Sequence, residues 1–377
     1  AEPFVVGAAG GSVVVPLQTN LNYRVEIAPE AATWLRLAPA TRAALREETL
    51  TFTADANTSA MRRAFVYLID LATETIAQTL CITQSGDEKA LAETIRFVDP
   101  KFETFLLANY DFDGDGKISK GEALEVVTLD VSDKSITDLT GLEWFTNLIS
   151  LNVSNNRELK TFDVTKLTAL ETLICNGCAL TSLDLSQNKA LKYLNCAAYV
   201  YGTKLTRLDL SQNKALISLN CSYQAVTNLD LSQNTELKEL YCYGRGSGYQ
   251  FLQTLKIPNC SKLHTLNCNT QKLSTIDLSG CPELSILNIY SNNLVALDLS
   301  HNPKLTELRC YSNAISSLNL SANSQLKTVD ITYNPLTNLD LGNNFETFTV
   351  NVNRYSTFSS LKISAPSLKT LSLSERS

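Results

Sequence analysis

The chain has 377 residues, 44% hydrophobic and 19% charged, with 32 Lys and Arg against 38 Asp and Glu for a formal net charge of −6. That length exceeds what one core commonly serves and implies at least two structural units, while the ordinary composition excludes a disordered chain and a disulfide-dense miniprotein. The acidic balance supplies no footprint for a nucleic-acid backbone or an anionic membrane, and no apolar run of about eighteen residues exists to span a bilayer.

Residues 1–86 break into the alternating stretches GGSVVVPLQT, YRVEIAP, TWLRLAP, TLTFTAD, RRAFVYLIDL and IAQTLCITQ, separated by Gly, Pro, Asn and Asp. This is the spacing of a β-sandwich, and with Cys81 as its one cysteine it has no antibody-type disulfide. An early strand at Gly10 and Gly11, a strand with Trp34, Asn57 ahead of a strand carrying Arg63, and a last strand ending at Gln84 together resemble the BACON domain. The resemblance implies an Ig-like sandwich in an exported, surface-anchored Bacteroidetes protein, serving either as a glycan-binding module or as a spacer. Trp34 and Tyr23 read as packing residues rather than a sugar platform, since aromatics in strands are mostly buried.

Residues 87–126 read as a linker and cap. In DPKFETFLLANY, Asp99 is placed to cap a helix that opens with Pro100 and carries Phe102, Phe105, Leu106 and Leu107 at helical spacing. DFDGDGKISKGE then runs from Asp111 to Glu122 and resembles an EF-hand loop. The resemblance assigns ligand positions to Asp111, Asp113, Asp115, the Lys117 carbonyl, Ser119 and a bidentate Glu122, with Gly116 at the sharp turn and Ile118 pinning the loop to a neighbouring segment. The alternative is an acidic turn without an ion. Sensor loops come in pairs and this chain has no second one, so the expected Ca2+ is structural, folding a cap over the open end of the C-terminal unit and stiffening the joint.

From 127 to 377 the dominant feature is a period. Units such as LISLNCSYQAVTNLDLSQNTE and LSILNIYSNNLVALDLSHNPK align on Leu129, Leu151, Leu173, Leu194, Leu219, Leu240, Leu266, Leu287, Leu308 and Val329, and Phe348 and Leu371 continue the series imperfectly. The steps are 21 or 22 residues except for 25 and 26, which mark outward loops after Cys196 and Cys242. A fixed period carrying L-x-x-L-x-L-x-x-N predicts a solenoid whose turns bury their leucines against one another. The motif recurs in the returning half (LTNLDLSQN), so both walls are expected to be strand-like, giving two parallel ladders. From Val127 to Leu341 the pattern resembles bacterial leucine-rich-repeat proteins with repeats of about 21 residues.

Six of the ten cysteines, Cys175, Cys196, Cys221, Cys242, Cys268 and Cys310, fall two residues after the aligned leucine and read as stacked packing residues. Cys178, Cys260 and Cys281 stand where Asn usually caps the turn. A metal at the Cys175–Cys178 pair or a Cys260–Cys281 disulfide are the competing assignments.

His264 and His301, the two histidines, occupy variable positions of the repeats with no marked partner, and the carboxylates of Asp184, Asp209, Asp230, Asp277, Asp298 and Asp340 recur with the architecture rather than as an acid–base pair. The chain therefore reads as a non-enzyme. Tyr193, Tyr241, Tyr243, Tyr290, Tyr311 and Tyr333 accompany Asn195, Asn220, Asn267 and Asn288 on the inner wall, a composition suited to a protein or a glycan. The expected molecule is a monomeric recognition protein at the cell surface or in the periplasm, lipid-anchored through a removed N-terminus. Its alternative is a structural or spacer surface protein, in which those residues merely fill exposed strand positions.

Overall fold

The structure, a computed structural model, describes residues 4–7, 10–17, 23–29, 31–38, 48–55, 62–70, 75–84, 91–198, 204–244, 251–342, 348–351, 360–362 and 371–373. Asn57 and both loop segments, 199–203 and 245–250, lie outside the described residues. The chain divides into two compact units, Ala1–Arg96 with Leu106–Val126, and Phe97–Phe105 with Val127–Ser377.

Period-two alternation puts the apolar members of each strand in the first unit on one face. Its strands are β1 (Phe4–Val6), β2 (Gly11–Leu17), β3 (Tyr23–Ile27), β4 (Leu35–Leu37), β5 (Glu48–Ala54), β6 (Arg62–Asp70) and β7 (Thr75–Gln84). They form one sheet in the order β1-β7-β6-β3 and another in the order β2-β5-β4, antiparallel throughout except where β1 runs parallel to β7. Val6, Val66 and Ile82 from the first sheet share a buried core with Val15, Leu35 and Phe52 from the second. Trp34 is 6% exposed, with the Arg62 guanidinium 4.3 Å from its ring centroid. The fully buried Gln84 accepts from Arg62 Nε and donates to the carbonyls of Gly7 and Asp55. Trp34 is thus a packing residue; the Tyr23 side chain lies outside the described residues.

In the second unit the leucine period becomes a sheet of twelve parallel strands, most of them three residues long. Leu129, Leu151, Leu173, Leu194, Leu219, Leu240, Leu266, Leu287, Leu308 and Val329 lie directly opposite one another and are buried. The last two strands correct the alignment drawn from sequence. Val329 pairs with Val350 rather than Phe348, whereas Phe348 and Leu371 do lie opposite one another, so the two stand together two residues off the row. A shift of two residues keeps the same face of a strand, so alternation could not distinguish these registers; the pairing of Val329 with Val350 keeps the 21-residue step.

Turning the backbone inward leaves its polar groups needing partners, and buried amides supply them. At the first turn Asn156, Asn292, Asn313 and Asn334 each donate through Nδ2 to a carbonyl of their own coil and one of the preceding coil. Their Oδ1 atoms accept the N–H of Ile136, Leu273, Leu294 and Ile315 in turn. Gln224 and Gln271 take this role after the two expanded coils, where the longer side chain still reaches the carbonyls of Cys196 and Cys242 and accepts from Leu205 and Leu252. At the opposite turn Asn188, Asn213, Asn234, Asn302 and Asn323, all fully buried, each donate to two carbonyls of the coil before.

The second ladder is interrupted, against the expectation of a continuous one. Asn228–Asp230 pairs with Thr254–Lys256, and Ser317–Asn319, Asn338–Asp340 and Ser360–Lys362 form a three-stranded piece. Elsewhere among the described residues the returning half runs without a ladder. Asp163, Asp184, Asp209, Asp230, Asp277 and Asp298 each accept the N–H two residues on, in the paired segment at Asp230 as in the unpaired ones, so the returning stretch bends after only a few extended residues in every case.

Asn302→Leu strips donors from the carbonyls of Leu278 and Cys281. It is expected to destabilise the solenoid by about 2–4 kcal/mol in urea unfolding, whereas Asn302→Cys, which keeps a weak donor, costs about half as much.

Candidate functional site

Two arrangements outside the core carry chemistry. In the first unit, Asp111, Asp113 and Asp115 each offer a carboxylate oxygen within 4.8 Å of the others. Successive backbone N–H groups hold them: Gly114 and Gly116 donate to Asp111, Asp115 to Asp113, and Lys117 to Asp115. Gly116 has φ of 80°, a left-handed conformation that glycine takes without strain. Ser119 caps helix α2 (Lys120–Glu125), which comes after α1 (Pro100–Tyr110), and Glu122 completes a capping box with it. Glu122 Oε2 accepts from Ser119 N at 2.8 Å while Oε1 accepts from Phe112 N at 2.7 Å, so this carboxylate closes the loop on itself rather than joining the three aspartates.

Ile118 is 1% exposed and its carbonyl accepts from Ile95 N at 2.8 Å; Thr94 and Ser119 form an antiparallel bridge. Residues 93–95 thus pair with the end of this loop, a contact that no motif in the sequence announces. Asp99, in the second unit, caps α1 through Lys101 N and Phe102 N, and its other oxygen accepts from Thr137 N at 2.7 Å and Thr137 Oγ1 at 2.9 Å. Burial works to raise its pKa, but those hydrogen bonds outweigh it and hold the carboxyl below the ordinary range.

The second arrangement lies on the exposed face of the twelve-stranded sheet. Tyr223, Tyr241, Tyr243 and Tyr290 line one hollow of about 480 Å³ with Asn267, Asn269 and Thr270. Tyr223 and Tyr243 meet edge to face, centroids 5.1 Å apart at 88°, and Tyr290 stacks on Tyr311 at 4.3 Å and 7°. Burial, followed by the adjacent Tyr290 and Asp330, pushes the Tyr311 hydroxyl up to about 12. Tyr193 borders a separate hollow of about 270 Å³ with Asn195 and Asn220, which Tyr241 also lines. Tyr333 belongs to neither hollow, and is 48% exposed with φ of 56°. Four of the six tyrosines singled out from sequence are thus brought together. Tyr223, not singled out from sequence, sits in the same left-handed turn position as Tyr333, four residues after the aligned Leu219 with φ of 63°, and that spacing could have found it.

The other candidate groups are occupied structurally. His264 Nδ1 lies 2.9 Å from Thr265 Oγ1 and His301 Nδ1 3.1 Å from Ser300 Oγ. Hydrogen bonds from the following Ser or Thr hold Asp163, Asp209, Asp230, Asp277 and Asp298 below the ordinary carboxylate range. Cys178, Cys260 and Cys281 do replace the capping Asn, their Sγ atoms donating to carbonyls of the preceding coil such as Val153, Leu231 and Ile257. Burial pushes Cys178 and Cys260 up to about 11 and Cys221 and Cys281 up to about 12, which disfavours the thiolate that metal binding needs.

Residues 122–213 match the family model described as the Endo-beta-N-acetylglucosaminidase EndoS LRR domain. Among solved structures, the chain is similar to the functional domain of InlJ from Listeria monocytogenes, described as including a cysteine ladder, at 30% identity and a TM-score of 0.62. That match covers 74% of this chain and 64% of InlJ's, so this chain spans less than two thirds of that relative. The internalin InlF, also from Listeria monocytogenes, matches at 16% identity and a TM-score of 0.42 over 74% of this chain and 96% of its own. No curated protein matches the sequence. Among the described residues no helix is long and apolar enough to cross a membrane.

The cysteine row, buried at every coil it occupies, yields a direct expectation. At pH 8 iodoacetamide leaves Cys175, Cys196, Cys221, Cys242 and Cys310 unmodified in the folded chain and labels all ten cysteines in denaturant. Mass spectrometry reads both states, and a missing pair of labels in denaturant would reveal a disulfide.

Proposed function

We propose, from the leucine-rich-repeat solenoid this chain carries, a non-enzymatic recognition protein that holds a protein or glycan on the exposed face of its twelve-stranded sheet. The observation that carries the reading is the convergence of Tyr223, Tyr241, Tyr243 and Tyr290 in one hollow, with Tyr311 stacked behind Tyr290. Tyrosine offers a large contact area, loses little conformational entropy on binding and keeps a polar tip. Rings already packed on one another have lost that entropy before a ligand arrives. The non-enzymatic part is supported by the repeated aspartates, whose role in turning the chain leaves no pair of carboxyls in unlike environments among them. The reading of residues 1–86 as an accessory glycan module or spacer of an exported, lipid-anchored protein rests on their BACON-like pattern.

The acidic loop is proposed to hold a structural Ca2+. All its candidate donors are oxygens, as a hard cation requires, and three carboxylates already converge. Asp111, Asp113 and Asp115 would hold the ion, with Glu122 joining by exchanging its bond to Phe112 N. A bound cation would offset the mutual repulsion of the three carboxylates and tie the loop to the bridge at Thr94 and Ser119.

Two outcomes test these readings. Tyr243→Ala, Tyr290→Ala and Tyr311→Ala, combined in the full chain, are expected to lower binding to an immobilised glycan array or to peptides selected from a displayed library at least tenfold, without moving the melting temperature by more than a few degrees. Unchanged binding would favour the spacer alternative. Excess Ca2+ should raise the melting temperature over a chelated sample, by about 2.7 kcal/mol of stability at a hundredfold excess over Kd. Asp113→Asn should reduce that difference; identical melts with and without chelator would refute the ion.

A further inference from the structure

We infer that the tyrosine-lined hollow takes a neutral oligosaccharide. This deepens the recognition reading above and rests on it, naming the class of ligand the site would accept.

Charge is the first argument. Among the described residues the hollow is lined by tyrosines, Asn267, Asn269, Thr270 and Gly244, with no carboxylate, amine, guanidinium or imidazole among them. On the strands that flank it, the outward positions are Ser218, Asn220, Glu239, Tyr241, Thr265, Asn267, Ile286 and Asn288, so one carboxylate faces a stretch of four coils. That carboxylate accepts from Ser218 Oγ at 3.2 Å. A uronate or a phosphate would leave water without gaining a counter-charge from these residues, which costs more than a neutral ligand loses.

Shape and donor chemistry supply the second. A hollow of about 480 Å³ matches a small-ligand site of roughly 300–1,000 Å³ rather than a flat protein interface of about 800 Å² per partner. Such sites are ordinarily lined by aliphatic side chains when they take apolar ligands, and this one is aromatic and amide instead. A ring face carries negative charge density that attracts the polarised C–H bonds of a pyranose, while amide and hydroxyl groups both donate and accept, as sugar hydroxyls do. Asn269 bonds to Asn267 and accepts from Thr270 Oγ1 at 3.0 Å, so the amides are oriented by one another. Tyr290 is likewise fixed by its stack on Tyr311. Gly244 closes the floor: a Cβ there would stand 2.1 Å from the Thr270 carbonyl, so neighbouring coils approach by backbone and leave the space above them to the ligand.

The test uses the full chain with neutral hexasaccharides of β-1,4-glucose, α-1,4-glucose, β-1,4-mannose and β-1,4-xylose, and with a galacturonate oligomer as the acidic comparison. Saturation-transfer NMR detects contact and calorimetry gives the affinity. At least one neutral sugar is expected to bind more than tenfold better than the galacturonate. Tyr243→Ala and Tyr290→Ala are expected to weaken it more than tenfold, Tyr290→Phe to retain most of it, and Val295→Ser, an exposed site elsewhere on the coil, to leave it unchanged. Binding of none of the neutral sugars, or binding indifferent to Tyr243→Ala and Tyr290→Ala, overturns the inference. If sugars fail while library-selected peptides lose their hold on those two variants, the ligand class is wrong and the recognition face stands. If the peptides also fail, both readings fall.

Discussion

The structure of the second unit depends on one constraint: each coil carries its backbone through a turn whose carbonyls face the interior, where no water can serve them. Leucine rows fill the space between the walls, but they cannot answer that polar requirement. Buried amides do, each bridging its own coil or the one before, as Asn156 bonds Val131 and Val153 and Asn302 bonds Leu278 and Cys281. Because every amide bonds to the coil before it, the ladder fixes the spacing between coils as well as the turn within one. An unmet carbonyl at such a position costs about 1–3 kcal/mol, comparable to a buried methyl-rich side chain.

Strict spacing has a functional consequence. With coils held at the strand separation of about 4.8 Å, side chains at equivalent positions on successive coils must touch. Tyr290 and Tyr311 are such a pair, one residue after the buried Ile289 and Cys310, and they stack flat at 4.3 Å. On the coil between those of Tyr243 and Tyr290 the equivalent position is Asn269, so the row of rings is interrupted and a hollow opens beside Tyr243, bounded by the Asn267 and Asn269 amides. The repeat provides the wall, and the change from ring to amide at one position of the row provides the recess.

Much of this was legible in the sequence and the limits were physical. The leucine motif specified the register of ten strands, including the two reached by steps of 25 and 26 residues, since the same L-x-x-L pattern, or its form with one Val, flanks the aligned residue on each coil. Phe348 and Leu371 were misaligned because a slip of two residues preserves alternation, which is the only signal a short strand carries. The second ladder was overestimated because alternation in the returning half, as in TNLDLSQN, marks an extended segment whether or not its neighbours pair with it; Asn228–Asp230 pairs with Thr254–Lys256, while most equivalent segments among the described residues do not pair. Gln224 and Gln271 escaped notice as members of the amide row because they differ in length from the residue they replace, and that length suits the expanded coils. At the acidic loop the three aspartates were legible from spacing, while the bridge to residues 93–95 was not, since a partner segment without ligands has no motif.

The measurement that reaches the central claim most directly is oxidative footprinting of the tyrosines in the full chain, with and without the tightest binder found among neutral sugars and selected peptides. The account predicts protection of Tyr223, Tyr243 and Tyr290 on saturation, with Tyr333 labelled equally in both samples. Protection confined to residues 4–84, or none at Tyr243 and Tyr290 in a saturated sample, would contradict it.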